Sequence, residues 1–278
     1  KSYKLAVVPT TNERLNRFIA AEGGRSFGLP GRDVRTGRTY APFRSSSEQG
    51  EMELIDGFKA PPFSRLSLSA LRLTPSPIRV VPAVMEERYE DLNPGFLGLQ
   101  NPAVRISYEQ VQAYCFWLNL QYQASDKPYG EGEWRIPTQA EWEHAMRAGR
   151  TEAQAQYPTS TGLLEKGLGL YGGSQAGVTS TGPVGLFPAN PWGLRDGLGN
   201  VLEWLLDYYS ATYYAQSVEQ GVITNPMGPT SGTTREISGG GAWFSADPGY
   251  LRLAYRRGGR PGDDVYNYVG LRVGFFPV

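Results

Sequence analysis

The chain is poorest in the residues that carry most enzyme chemistry. It has one histidine, His144, and one cysteine, Cys115. A zinc or iron centre gathers several His, Cys or carboxylate ligands, so such a centre is not expected here. A single cysteine closes no internal disulfide and supports no paired-cysteine chemistry. A Ser-His-Asp or Cys-His arrangement would have to use His144, which sits among Glu141, Glu143 and Arg147 with no nucleophile beside it. No Gly-x-x-x-x-Gly-Lys-Ser/Thr loop is present, and Gly239-Gly240-Gly241 lacks the strand–turn–helix setting of a dinucleotide site. Carboxylates do pair in sequence (Asp263-Asp264, Glu86-Glu87, Glu141 with Glu143), but glycoside hydrolysis needs two of them facing across a cleft.

Other absences narrow the partners. No apolar run reaches the roughly 18 residues of a membrane span. The 27 basic and 27 acidic residues cancel, so no excess of positive charge favours nucleic acid or an anionic membrane. Lysine is scarce: five of the 27 basic residues are Lys and 22 are Arg, a balance that fits thermophily or a GC-rich genome. No signal peptide opens the chain, and Lys1 is not a natural start, which fits a trimmed leader.

What is present is turn-rich and apolar enough to fold. The apolar fraction of 40% in 278 residues supports one large domain or two small ones. Gly 35 and Pro 21 imply many turns and few long helices. Two helices are marked by capping boxes, Ser107-Tyr108-Glu109-Gln110 and Thr138-Gln139-Ala140-Glu141. In the first, Val111, Tyr114, Cys115 and Leu118 form one apolar stripe, which makes Cys115 a core residue rather than a nucleophile. In the second, Trp142, Ala145 and Met146 form the buried face, and Gly149 is the expected left-handed terminus.

Arg135-Ile136-Pro137 reads as a short extended lead-in. Strands are expected at 64–73, at Val201-Leu202-Glu203-Trp204-Leu205-Leu206 (closed by Asp207-Tyr208-Tyr209), at Ile237, and at Leu271-Arg272-Val273. Residues 150–190 read as a long packed loop. Two helices followed by many short strands argue for an α+β fold rather than alternating α/β.

Four segments together resemble the formylglycine-generating-enzyme (sulfatase-modifying-factor) domain, a variant of the C-type-lectin fold. They are Val104-Arg105-Ile106-Ser107 with Gln112-Ala113-Tyr114-Cys115; Trp134 to Glu143; Asn190-Pro191-Trp192-Gly193-Leu194-Arg195-Asp196 running into Gly199-Asn200-Val201-Leu202-Glu203-Trp204; and Gly240-Gly241-Ala242-Trp243 with Leu251-Arg252, Ala254-Tyr255-Arg256 and Gly270-Leu271-Arg272-Val273. The match covers about 60–278 and leaves the first 50 residues unexplained. It implies a C-type-lectin-like domain over 56–278, with 1–55 as an N-terminal arm or small subdomain. Catalytic members carry two copper-binding cysteines in the C-terminal segment, and the iron-dependent sulfoxide-forming relatives carry a histidine cluster. Gly239 to Val278 contains neither cysteine nor histidine. The resemblance therefore implies the fold without its chemistry, and no catalytic residue carries over.

A second branch of this fold is the variable proteins of diversity-generating retroelements, whose C-terminal region is rewritten at adenines, usually in Asn codons. Such codons cannot become Lys, Glu, Gln, Met or Trp. Ala242 to Val278 holds no Lys, Glu, Gln or Met, although these types make 39 of the 278 residues and about five were expected in that window. Trp243 falls on a scaffold position of the family motif. The resemblance implies a non-catalytic binder, from a thermophile or its prophage, with 239–273 as its variable region. Alternatives are a structural or accessory family member, or an unrecognised enzyme.

On this reading Trp243, Leu251, Ala254, Leu271 and Val273 form a buried frame, and Arg252, Arg256 and Arg272 brace it. Between them lie Phe244, Ser245, Asp247, Tyr250, Arg257, Arg260, Asp263, Asp264, Tyr266, Asn267 and Tyr268, a mixture suited to binding. A protein surface is the expected ligand, with a glycan second. No cofactor is expected. Asn200 and Glu203 resemble positions that hold structural calcium in some relatives, and hydrogen bonds fixing their loop are the alternative. A monomer that faces outward, on a virion or a cell surface, is implied.

Overall fold

The computed structural model describes residues 3–15, 18, 31–32, 39–40, 94–219, 221, 224–261 and 266–277. The strand expected at 64–73 and the boundary near residue 55 lie outside them.

Both helices start where their caps predict. Helix α1, Tyr108–Gln123, follows Ser107, whose Oγ accepts the Gln110 N–H while the Gln110 side chain accepts the Ser107 N–H. Val111, Tyr114 and Cys115 are buried, and Leu118 packs at the edge of the same core. Helix α2, Gln139–Arg147, repeats the box with Thr138 and Glu141. The Glu141 carboxylate also receives Arg135 in a bidentate pair at 2.8 Å per contact, so one side chain caps the helix and ties it to the preceding strand. The left-handed turn expected at Gly149 begins one residue earlier, at Ala148 with φ of 54°, and continues through Gly149. Thr138→Ala removes the cap oxygen, so it is expected to cost about 1 kcal/mol in chemical denaturation.

Two sheets flank these helices. In the first, β9 (Gly274–Pro277) lies between β1 (Lys4–Leu5) and β4 (Gly132–Arg135), antiparallel to both. In the second, the order is β7 (Arg256–Gly259), β6 (Arg235–Ser238), β5 (Leu202–Tyr208), β8 (Val269–Gly270), with only β8 parallel to its neighbour. A short hairpin pairs β2 (Gly31–Arg32) with β3 (Thr39–Tyr40). The sheets are mostly antiparallel and the helices few, which is the α+β class expected. A short helix α3, Tyr213–Glu219, follows β5.

Two strand expectations change. Strand β5 runs through Asp207 and Tyr208, because Tyr208 pairs with Arg235 across the sheet and the Arg235 guanidinium stacks 3.6 Å from its ring centroid. Leu271-Arg272-Val273 is not itself a strand but the link between β8 and β9. Its carbonyls are taken up by the N-terminal segment: Ala6 N–H donates to Val273 and Thr10 N–H to Leu271. Residues 3–15 are thus threaded through the same body as the C-terminus. The 150–190 loop contains a single 3-10 turn, Gly173–Ala176.

The main core gathers Trp204, Ile237 and Val269 from the second sheet, with Leu271 from the link after β8, against Val111, Tyr114 and Leu120 of α1. A second cluster holds Trp142, Met146, Leu205 and Leu253.

Candidate ligand-binding face

The C-terminal segment is anchored by Arg272, which is 0% exposed. Its guanidinium meets Glu203, itself 1% exposed, at 2.9 to 3.2 Å through two nitrogens. The remaining donors reach the carbonyls of Ala6, Val7 and Arg195. Trp142 Nε1 donates to the other side of the same carboxylate at 2.7 Å. Arg272 is the brace expected of it.

Glu203 is therefore fully engaged by protein groups. Asn200 is too: its Oδ1 accepts the Gly182 N–H and its Nδ2 donates to the Gly182 carbonyl, each at 3.1 Å. Of the two residues suggested for calcium, Asn200 ties its turn to Gly182, and Glu203, in β5, holds Arg272 and Trp142. Among the described residues, no group of three or more His, Cys, Asp or Glu side chains could hold a metal ion. Cys115 is buried, and burial pushes its thiol up to about 12. His144 is exposed, edge-on to Trp192.

The rest of the frame differs in detail. Leu251, Leu271 and Val273 are buried, but Ala254 is exposed and Leu253 takes the inward position, against Trp142 and Met146. Trp243 is half-buried, edge-on to Phe96, with Nε1 donating to the Asn267 carbonyl. Among the described residues, the Arg252 side chain pairs with Glu152 at the surface. Arg256 contacts buried Glu236 and the Ser210 carbonyl, all at 3.3 to 3.4 Å.

The proposed contact residues divide into three groups. Phe244, Asp247, Tyr250 and Arg260 are exposed. Arg257, Tyr266, Asn267 and Tyr268 are half-buried. Ser245 is buried and unavailable, because its Oγ accepts the Ala242 N–H and fixes the turn. That turn needs Gly241 at φ of +78°, where a Cβ would lie 2.4 Å from Leu251. Asp263 and Asp264 lie outside the described residues.

Aromatic rings connect this surface. Phe96, Trp243, Phe244 and Tyr268 meet edge to face in sequence, with centroids 4.9 to 5.7 Å apart. Tyr268 then stacks on Tyr266 at 4.7 Å. Such geometries favour a rigid array. Arg257 lies against both tyrosines and donates to both hydroxyls. Burial opposes its charge, but the hydrogen bond to Tyr268 and the nearby tyrosines outweigh burial and hold its pKa above the ordinary value.

The sequence reading missed the loop beside this array. Gly172 and Gly173 donate backbone hydrogen bonds to the carbonyls of Ser245 and Trp243. With Gln175, Thr179, Trp243 and Phe244 they line an open groove of about 430 Å³. The adjacent glycines were the one available signal: a Cβ on Gly173 would come 3.0 Å from the Phe244 carbonyl.

Comparison with known proteins agrees with this architecture. Residues 1–274 match the family described as the Sulfatase-modifying factor enzyme 1-like domain. The formylglycine-generating enzyme of Thermomonospora curvata is 33% identical over 150 residues, covering 50% of this chain and 44% of the relative. Serine/threonine-protein kinase pkn1 of Chlamydia caviae is 31% identical over 171 residues, covering 62% of this chain and 23% of the relative. The matched region thus spans less than half the length of either relative. Among solved structures, Treponema denticola variable protein 1 superposes with a TM-score of 0.52 at 22% identity, over 68% of this chain and 77% of its own. PvdO from Pseudomonas aeruginosa gives 0.57 at 20% identity, over 98% and 80%. These two likenesses establish the fold.

Proposed function

We propose, from the premise that this chain belongs to the sulfatase-modifying factor enzyme 1-like family, that it is a non-catalytic binding domain whose C-terminal face is diversified to take different protein ligands. The carrying observation is the pairing of a fixed frame with an exposed set. Arg272, Leu251, Leu271 and Val273 are buried, while Phe244, Asp247, Tyr250 and Arg260 project from the same segment. Every exposed member is a residue that a rewritten Asn codon can encode, and the window holds no Lys, Glu, Gln or Met. The absence of cysteine from Gly239 to Val278 supports the non-catalytic part of the reading. The broad aromatic array favours a protein surface, with tyrosine and phenylalanine supplying area at low entropic cost.

Tyr266 and Tyr268 pack partly on the core and hold Arg257, so they are poor positions for a clean test. Phe244→Ala, Tyr250→Ala and Arg260→Ala together are better. The triple variant is expected to keep its melting temperature within about 4 °C, since exposed substitutions cost little. Libraries randomised at those three codons should behave alike and yield binders to unrelated proteins such as lysozyme. Misfolding of most library members, or failure to select any binder, would overturn the reading. The encoding DNA supplies a second check. A near-copy of the last hundred or so bases beside a reverse transcriptase, mismatched only at adenines, is the expected finding.

A further inference from the structure

The open groove beside the aromatic array is built from two separate parts of the chain. One wall is the loop with Ser174, Gln175, Val178 and Thr179; the other is Trp243, Phe244 and Ala246. Backbone hydrogen bonds join them. Gly172 N–H donates to the Ser245 carbonyl at 2.8 Å, and Gly173 N–H to the Trp243 carbonyl at 3.0 Å. Within the loop, Val178 N–H donates to the Gly173 carbonyl, and Gly177 N–H to the Ser174 carbonyl. Trp243 N–H is in turn held by the Asn200 carbonyl. None of these bonds uses a side chain of the C-terminal segment, so a new residue at 244 or 246 leaves the groove standing. The loop also lies outside the variable window at 239–273.

The groove carries no charge: among the described residues, none that lines it is ionisable. A charged group entering it would lose water and meet no counter-charge. Phe244 is 43% exposed, yet its ring is fixed edge to face against Trp243 at 5.3 Å and Tyr268 at 4.9 Å. One further ring extends such an array favourably. Ser174, Gln175 and Thr179 are exposed beside it and offer neutral donors and acceptors to the peptide group that carries the ring.

We infer that this groove anchors one uncharged aromatic side chain of the protein ligand, and that residue 244 sets which side chain it takes. The inference rests on the binding-face reading above. It divides that face into a constant wall, from the 174–179 loop, and a rewritable one, from positions 244 and 246. The volume of about 430 Å³ falls within the range of small-ligand sites. A sugar presents hydroxyls on every side, and Val178, Trp243, Phe244 and Ala246 would leave several of them unpaired. A benzyl group presents none.

The test uses the whole chain and small probes. N-acetylphenylalanine amide, N-acetylglycine amide, N-acetylarginine amide and methyl β-glucoside are each titrated, and the backbone amides of Ser174, Gln175 and Thr179 are followed by NMR. Saturable shifts at those amides are expected with the phenylalanine probe. The glycine probe should bind on the order of tenfold or more weaker, the scale of one buried aromatic side chain. Ala246→Trp fills the groove and should abolish the shifts. Phe244→Asp should reverse the choice, so that the arginine probe binds tighter than the phenylalanine probe. Both substitutions are at exposed positions, and unchanged melting temperatures confirm the fold. Glucoside binding tighter than the phenylalanine probe, undiminished affinity in Ala246→Trp, or an unchanged preference in Phe244→Asp would overturn the assignment. Probe binding that fails while the library on Phe244, Tyr250 and Arg260 still yields binders sinks the groove alone. A barren library with the probe still bound sinks the diversified-face reading alone.

Discussion

Arg272→Met is expected to cost this protein about 3–5 kcal/mol, the scale measured when one partner of a buried ion pair is removed. The reason is the company Arg272 keeps. It is 0% exposed, and its loss leaves the Glu203 carboxylate buried with Trp142 Nε1 as its remaining donor. The carbonyls of Ala6 and Arg195 lose their side-chain donor at the same time, and that of Val7 is left with the Arg195 N–H. These groups belong to the N-terminal segment, the turn before β5 and β5 itself, so a single guanidinium joins distant stretches of chain. The melting temperature should fall by roughly 10 °C, at a few degrees per kcal/mol for a domain of this size. Glu203→Gln combined with Arg272→Met should cost less than the two single changes added together, because the double variant strands no charge. Guanidinium denaturation of the four proteins reads this directly. A loss below about 1 kcal/mol for Arg272→Met would mean that the pair is not what organises the C-terminal frame.

What could be read from the sequence follows the range of the interactions. Both capping boxes were legible because each closes within four residues, Ser107 to Gln110 and Thr138 to Glu141. Arg272 was legible through the family resemblance, which marks it as scaffold even though its partner Glu203 lies 69 positions away. The exchange of Ala254 for Leu253 was not. The chain turns between Leu251 and the start of β7 at Arg256, so inward and outward sides there obey no regular period. Ser245 was misread because a small polar residue serves a ligand or a turn equally well until its hydroxyl is seen accepting the Ala242 N–H. The long end of β5 was hidden for a related reason. Asp207-Tyr208 looks like a polar stop until Arg235, from another strand, stacks on Tyr208. The approach of Asp207 to Glu236 had no local signature at all, since the two meet only through pairing of β5 with β6.

That meeting sets the second large effect. Stability should fall as pH rises from about 5 to 9, and Glu236→Gln should remove most of the fall. Glu236 is 1% exposed, and Oε1 of its carboxyl has no hydrogen-bond partner among the described residues. Burial raises it from the ordinary 4.5 to about 8; Arg256 opposes the rise and Asp207 adds to it. Tyr214, on α3, faces the same acids, with its hydroxyl buried and without a hydrogen-bond partner among the described residues. A raised carboxyl pKa means that the folded chain holds a proton the unfolded chain has released. Stability from this group is complete below about 4.5, declines between 4.5 and 8, and is fully lost above 8. The amount is on the order of 3 kcal/mol or more, from the size of the shift.

Asp207 contributes a smaller fall at lower pH, since burial lifts it to about 6 against the hydrogen bond from the Gln139 N–H. That part persists in Glu236→Gln, so the variant's profile should drop early and then flatten. Glutamine keeps the shape and an acceptor for Arg256 while ionising at no pH. At pH 9 the variant should therefore be the more stable protein by the amount the parent has lost, and at pH 4 the two should be nearly equal. If instead the parent gains stability through this window, or the variant is the weaker protein at pH 9, then Glu236 is ionised throughout and its pairing with Arg256 outweighs its burial. In that case Glu236 and Arg256 form a buried ion pair at working pH.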